Sequence, residues 1–172
     1  MDNTEYADQS TFKRIFTKGN SINESDSMKQ MSAPGLFAHP NTNAVDVVLS
    51  TFNNDNYYEL YETITINNIP MQKWVNIVIR VQNKTVDVYV NGTLVERKNM
   101  NVVPKQNYGN IYVGDGINGM NGYISSLRYF NHAIGHGQIQ DLMYQGPNLK
   151  MESEEWNSTA PPYLSLKWYF NH

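Results

Sequence analysis

Residues 74–92, WVNIVIRVQNKTVDVYVNG, alternate β-branched and polar side chains over two successive runs. A period of two is typical of strands that bury one face of a sheet. The buried faces are predicted to hold Val75, Ile77, Ile79 and Val81 in the first run and Val86, Val88 and Val90 in the second. Asn83-Lys84 is expected to close this hairpin. Asn91-Gly92 predicts a type I′ turn, in which both central residues take positive φ.

The same period recurs in five further segments. They lie near residues 45–51, 58–66, 111–113, 123–130 and 162–170. Clusters of Gly, Asn and Pro separate these short runs, which is typical of an all-β, antiparallel two-sheet jelly-roll sandwich. The last run, YLSLKWYF, is too apolar for a loose tail, so we expect it to complete a sheet.

One segment departs from the strand pattern. Ile139, Leu142 and Met143 follow the spacing i, i+3, i+4, which predicts a short helix near residues 136–145. Gly146-Pro147 supplies its C-terminal stop, because glycine accepts the cap conformation and proline cannot continue the helix. We expect this helix to cover one end of the sandwich.

Composition narrows the class of protein. The chain has 172 residues, a net charge of −3 and no cysteine. One domain of this length buries a core without metal or disulfide crosslinks. No cluster of Lys and Arg marks a nucleic-acid surface, and no apolar run is long enough for membrane insertion. The polar start, MDNTEYADQS, lacks the basic and apolar regions of a signal peptide.

An ordered series of motifs resembles a known family. The series is W-x-x-I-x-I-x-V, V-D-V-Y-V-N-G-x-L-V, I-Y-V-G-D, G-Y-I-S-S-L-R-Y-F-N and I-x-x-L-M-Y-x-G, over residues 74–146. It is similar to laminin G-like domains of the concanavalin A-like lectin/glucanase superfamily, and most similar to versions in large DNA viruses. The resemblance implies one domain over residues 1–172, with a polar lead-in at 1–11, a loop at 148–160 and a final strand at 162–170.

The N-terminal part departs from the family pattern. An aromatic strand usually precedes the segment that matches RIFTKG at residues 14–19, but here only polar residues come before it. We expect a missing strand, or another chain or the C-terminal strand in its place. An open sheet edge would allow other protein subunits to bind by strand addition.

Catalytic patterns are absent from the sequence. Retaining glucanases of the superfamily carry E-x-D-x-x-E on one strand, which sets two carboxylates across the scissile bond. This chain lacks that triplet, and Glu59 and Glu62 are three apart and so face opposite sides of a strand. The histidines are scattered singly, without the converging ligands that a metal needs. The sequence therefore predicts no enzyme, and a glycoside hydrolase is the least favoured alternative.

Two loops are candidates for calcium, which laminin G-like domains often hold at the sandwich rim. Calcium takes six to eight oxygen ligands. Asp55 in one Asn-rich loop, and Asp115 and Asn118 in another, offer side-chain oxygens. The alternative is turn formation alone, since Asn, Asp and Gly all favour turns.

A glycan-binding patch is predicted in NNDNYYELY. Sugar recognition needs an aromatic surface beside amides or carboxylates that bond hydroxyl groups. The candidate residues are Asn53, Asp55, Asn56, Tyr57, Tyr58 and Tyr61. The alternative is that Tyr57 and Tyr61 share one face and pack over the sheet.

Two functions therefore remain open. The first is a non-catalytic recognition domain that binds a glycan or glycoprotein through rim loops. The second is a structural or decorating subunit of a virus particle, acting through protein–protein contacts and located in the virion. The fold accommodates both, because rim loops vary while the sheets hold the frame.

Overall fold

The computed structural model describes residues 12–19, 32–52, 60–114 and 119–149. Within these ranges the chain forms eight strands and one helix, and this helix confirms the one predicted from the apolar stripe. The strands are β1 (Lys13–Gly19), β2 (Gly35–Ala38), β3 (Ala44–Thr51), β4 (Leu60–Asn67), β5 (Ile77–Gln82), β6 (Thr85–Val90), β7 (Thr93–Asn99) and β8 (Asn110–Val113), and the helix α1 is His136–Gln145. No helix of the described part is long and apolar enough to cross a membrane.

The strands form two antiparallel sheets. One has the order β4-β3-β2-β1-β8 and the other the order β5-β6-β7. This arrangement confirms the predicted sandwich. Strand β1, which contains RIFTKG, pairs with β2 on one side and with β8 on the other. Within the described residues β1 is therefore not an edge strand, because β8 pairs along its other side.

The main core lies between the two sheets. Its side chains come from alternate positions of the strands, as the period of two predicts. The buried members are Leu36, Val45, Val47, Leu49, Ile64 and Ile66 from one sheet, Val86, Val88 and Val90 from the other, and Met100. Ile77, Ile79 and Val81 of β5 pack against this cluster and are only partly buried.

A second cluster covers the outer face of the three-stranded sheet. Tyr89 lies on this face, opposite the buried valines of β6, and packs with Ile134 and Ile139. Leu142 of α1 also packs there. The helix thus covers a sheet face and does not lid an end of the sandwich, because Tyr89 and Val78 present apolar surface that the stripe of α1 can bury.

The outer face of the five-stranded sheet is buried along β2 and β3 as well. Phe37 and Val48 lie on this face, alternating with Leu36 and Val47 of the core, and both have no exposed surface. Asp46, which pairs with Phe37 across the sheet, is 3% exposed and accepts a hydrogen bond from Thr65 Oγ1 at 2.7 Å. Strand β3 is consequently buried on both faces along its whole length.

The turn between β6 and β7 has the predicted geometry. Asn91 and Gly92 have φ of 49° and 76°, as a type I′ turn requires. Three contacts hold it. Asn76 N–H donates to Asn91 Oδ1 at 3.0 Å, and Asn91 N–H donates to the Asn76 carbonyl at 2.8 Å. Gln140 Nε2 of α1 donates to the Gly92 carbonyl at 2.7 Å. The turn therefore connects the sheet to the helix that covers it.

Replacing Gly92 with alanine is expected to reduce the free energy of unfolding by about 1–2 kcal/mol, since a Cβ is disfavoured at positive φ. The added Cβ would also lie 3.0 Å from Gln140 Nε2. Urea denaturation of the variant measures the loss. Gly137→Ala in α1 is the matched control, because a Cβ there meets nothing within 4 Å. Equal stability of Gly92→Ala and the unchanged protein would contradict the expectation.

Residues 123–130 form no strand, so that prediction is wrong. Ser126 has φ of 54°, which interrupts an extended backbone.

The chain groups into two compact units, Met1–Tyr123 with Arg128–Gly146, and Ile124–Leu127 with Pro147–His172. In the second unit, the Ser125 hydroxyl donates to the Asn148 carbonyl and accepts from Asn148 N–H. The predicted strand 162–170 lies outside the described residues.

Candidate functional site

The predicted glycan site lies at the connection between β3 and β4. Asn53, Asp55, Asn56, Tyr57 and Tyr58 fall outside the described residues, and Tyr61 falls within them. The structure therefore shows the two strand ends that carry this loop. Thr51 pairs with Leu60 and Ser50 with Tyr61 across the antiparallel ladder, so the loop begins and ends at adjacent positions on one sheet edge.

Tyr61 is partly exposed. Its side chain is 39% accessible, and it lies opposite the core face, because Ile64 and Ile66 at the other parity of β4 are buried between the sheets. A strand residue of this parity points away from the core. The ring is therefore available to a ligand beside the loop.

Phe52 stands at the other end of the same loop. Its ring is 53% exposed, and the Lys105 ammonium lies 5.9 Å from the ring centroid, within the range of a cation–π contact. The Phe52 N–H donates to the Val103 carbonyl at 3.2 Å, and the Lys105 N–H donates to the Ser50 carbonyl at 2.8 Å. The end of β3 thus lies between β4 and residues 103–105.

Together Phe52, Tyr61, Val103 and Lys105 form what we call the rim patch. Val103 is 47% exposed. The patch extends from β4 across β3 to the segment 103–105. Two strand spacings of about 4.8 Å each give it a width of about 10 Å. Its chemistry is two aromatic rings, one aliphatic side chain and one cation around the root of the loop.

The sequence signals only part of this patch. Phe52 follows Asp46, Val48 and Ser50 at the same parity of β3 and precedes the Asn-rich loop, so its place on the outer face could have been found. Val103 and Lys105 carry no such signal, because they reach β3 through pairing between segments about 50 residues apart in sequence.

Asp55, Asp115 and Asn118, the candidate calcium ligands, all lie outside the described residues. In residues 12–19, 32–52, 60–114 and 119–149, no group of three or more His, Cys, Asp or Glu side chains could hold a metal ion. Calcium binding therefore stays a prediction.

A charged cluster occupies the outer face of the three-stranded sheet. Asp87 is 1% exposed and bonds to Arg97 Nε at 2.6 Å and to Arg80 Nη1 at 2.8 Å. Arg80 Nε also donates to the Ile134 carbonyl at 3.0 Å. The Arg97 hydrogen bond lowers the pKa of Asp87; burial opposes this and Arg80 adds to the lowering. A carboxylate held ionised and fully paired suits a structural role better than proton transfer.

With this geometry established, comparison with known proteins identifies the family. A laminin G-like family model, described as the concanavalin A-like lectin/glucanases superfamily, matches residues 9–140. The chain belongs to this laminin G-like family. These domains are generally non-catalytic, and they suggest a carbohydrate- or protein-binding module. The predicted viral similarity remains a prediction.

Two further comparisons add little to this laminin G-like assignment. No curated protein matches the chain. A solved structure, the S-layer domain-containing protein (residues 221-444) from Clostridium thermocellum ATCC 27405, is similar with 19% identity and a TM-score of 0.38. The match covers 77% of this chain and 63% of that chain.

Proposed function

We propose that this laminin G-like domain is a non-catalytic recognition module that binds a glycan or glycoprotein through the rim patch and the adjoining loop at residues 53–58. The observation that carries the proposal is the exposure of Phe52 and Tyr61 at the two ends of that loop. Asn53, Asp55 and Asn56, which precede Tyr57 and Tyr58 in this segment, supply the polar groups that a sugar requires.

The chemistry of the rim patch fits a sugar ring. An exposed aromatic ring offers a flat apolar surface for the C–H face of a pyranose, while nearby polar groups bond its hydroxyls. Lys105, held over Phe52, adds a donor at the border of this surface. Sugars that carry a carboxylate or sulfate would also gain an attractive charge there.

The two buried carboxylates among the described residues give no support to an enzymatic role. Asp87 is paired with two arginines, and Asp46 is buried and accepts a hydrogen bond from Thr65. Glycoside hydrolysis requires two carboxyl groups facing one bond at about 5–10 Å separation. With no E-x-D-x-x-E triplet in the sequence, we place this chain with the non-catalytic members of its family.

A glycan array run in calcium and again in excess chelator tests the proposal. We expect binding to a defined sugar class, weakened about two- to tenfold by Tyr61→Ala and by Tyr58→Ala, since one aromatic contact contributes about 0.5–1.5 kcal/mol. Tyr144→Ala is the matched control, because that tyrosine is 80% exposed but lies on α1. Loss of binding in chelator would assign calcium to the site.

A negative array from folded protein would contradict glycan recognition and favour the second candidate, a decorating subunit of a virus particle. The observation behind this alternative is β8, where Ile111 and Val113 are 41% and 42% exposed. In the described part of the chain, β8 pairs only with β1, and its other side is where a partner strand would add under this alternative. Sedimentation of the purified protein would detect the self-association that such an edge permits.

A further inference from the structure

A cleft lies between the outer strands of the two sheets, β4 and β7. Near the start of β4, Lys98 Nζ of β7 lies 3.1 Å from Glu62 Oε2, and the Asn101 N–H donates to Glu62 Oε1 at 2.9 Å. At the end of β4, the two strands border an open cleft of about 210 Å³. It is lined in part by Ile66, Asn67, Asn68, Val90, Val95 and Glu96. The predicted glycan loop is at the opposite end of β4, so the two sites are distinct.

Glu96 is the charged group of this cleft. It lies opposite Val88 in the ladder, on the same face of β7 as Lys98, which lies opposite Val86. Lys98 is paired with Glu62, but no described residue forms a salt bridge or hydrogen bond with the Glu96 carboxylate. The two strands thus carry one ion pair and, two residues along β7, the exposed Glu96 carboxylate, which pairs with no cation of the described residues.

The cleft walls combine aliphatic side chains, Ile66, Ile69, Val90 and Val95, with the polar residues Thr65, Asn67, Asn68 and Glu96. Among the aliphatic members, Ile66 and Val90 are 6% and 9% exposed, and Val95 is 43% exposed. No aromatic side chain of the described residues lines it, so it lacks a surface for sugar stacking. Its volume is below the roughly 300–1,000 Å³ of typical small-molecule sites, which suits a single inserted side chain.

We propose that this cleft binds a lysine or arginine side chain presented by a protein partner. The aliphatic stem of such a residue lies along Ile66, Val90 and Val95, as long basic side chains do on apolar surfaces. Its cationic head pairs with Glu96, and the amide oxygens of Asn67 and Asn68 are further acceptors at the same site. The net charge of −3 favours approach of a basic partner.

The test uses the whole protein and two small probes. Nα-acetyl-lysine methylamide carries the stem and the charge, whereas Nα-acetyl-norleucine methylamide carries the stem alone. Titration into ¹⁵N-labelled protein, followed by amide chemical shifts, detects dissociation constants into the millimolar range. We expect saturable shifts confined to residues 65–69, 90 and 95–96 with the lysine probe, and at least about tenfold weaker binding with the norleucine probe.

Two variants distinguish the effect of the Glu96 carboxylate on probe binding from the effect of the protein's net charge. Glu96→Gln is expected to weaken binding of the lysine probe about tenfold while leaving the remaining amide shifts unchanged, which shows that it folds. Asp141→Asn removes the same charge from an exposed position of α1 and should bind as the unchanged protein does. Shifts that do not saturate, equal binding of both probes, or full binding by Glu96→Gln would each overturn the proposal.

Discussion

Replacing Asp87 with alanine is expected to lower the free energy of unfolding by about 3–5 kcal/mol, the range for breaking a buried ion pair by removing one partner. Asp87 is almost fully buried, and its partner Arg80 is only 21% exposed and lies beneath the chain at Ile134. Alanine would leave the Arg80 guanidinium largely desolvated without a counter-charge. Guanidinium chloride denaturation, followed by intrinsic fluorescence, measures the loss.

Arg97→Ala is the matched comparison for this variant. The Arg97 side chain is 57% exposed, so its removal uncovers no buried cation, and Asp87 keeps Arg80. We expect a smaller loss of about 1–2 kcal/mol, typical of a charged hydrogen bond. If Arg97→Ala destabilised the protein as strongly as Asp87→Ala, the argument from the buried Arg80 would fail.

The contribution of Asp87 to the free energy of unfolding is expected to fall as the pH is lowered. The pKa of Asp87 is lowered by Arg97 and Arg80 despite burial. A carboxyl group with a depressed pKa in the folded state contributes its stabilisation above the ordinary Asp pKa of about 3.9 and loses it as pH falls through the folded value. Asp87→Asn should therefore flatten the acid side of the stability profile, measured by denaturation at a series of pH values.

Replacing Phe37 with alanine is expected to cost about 3–5 kcal/mol, the range for deleting a large buried ring. Phe37 has no exposed surface and lies on the outer face of the five-stranded sheet, between Arg14 and Asp46 in the ladder. Its ring packs over Gly35, where an added Cβ would lie 2.7 Å from Phe37 Cε2. Thermal and denaturant unfolding of Phe37→Ala measure the effect.

Phe52→Ala provides the control for Phe37→Ala. Phe52 is the same residue type on the same face, one strand away, but more than half exposed. Its replacement should change the free energy of unfolding by no more than about 0.5 kcal/mol. Similar small losses for both variants would show that the outer face of this sheet contributes little to stability.

The strands are predictable because the position of each side chain along an alternating run indicates the face on which it lies. The alternation in β3, β4, β5 and β6 identifies the core residues, and Asn91-Gly92 identifies its turn. The same pattern fails at residues 123–130, where Ser126 takes a left-handed conformation that alternation does not encode. It also fails to place α1, since an apolar stripe shows that a helix is covered on one side and not which surface covers it.

The candidate site is less predictable because it depends on contacts distant in sequence. Tyr61 and its loop belong to one contiguous stretch, which the sequence alone indicates. Lys105, by contrast, reaches Phe52 only because residues 103–105 lie beside the end of β3. Glu96 and Ile66 share a cleft although β7 and β4 belong to different sheets. No local pattern brings such positions together.

The position of β1 constrains the order of folding. Strands β5, β6 and β7 follow one another through short turns, so their pairing closes only small loops and is free to form early. The β1–β8 pairing, in contrast, joins distant parts of the chain; Lys18 donates to the Gly109 carbonyl across 91 positions. Closing that loop carries a larger entropic cost. During synthesis, β1 therefore pairs with β8 only after most of the domain has left the ribosome.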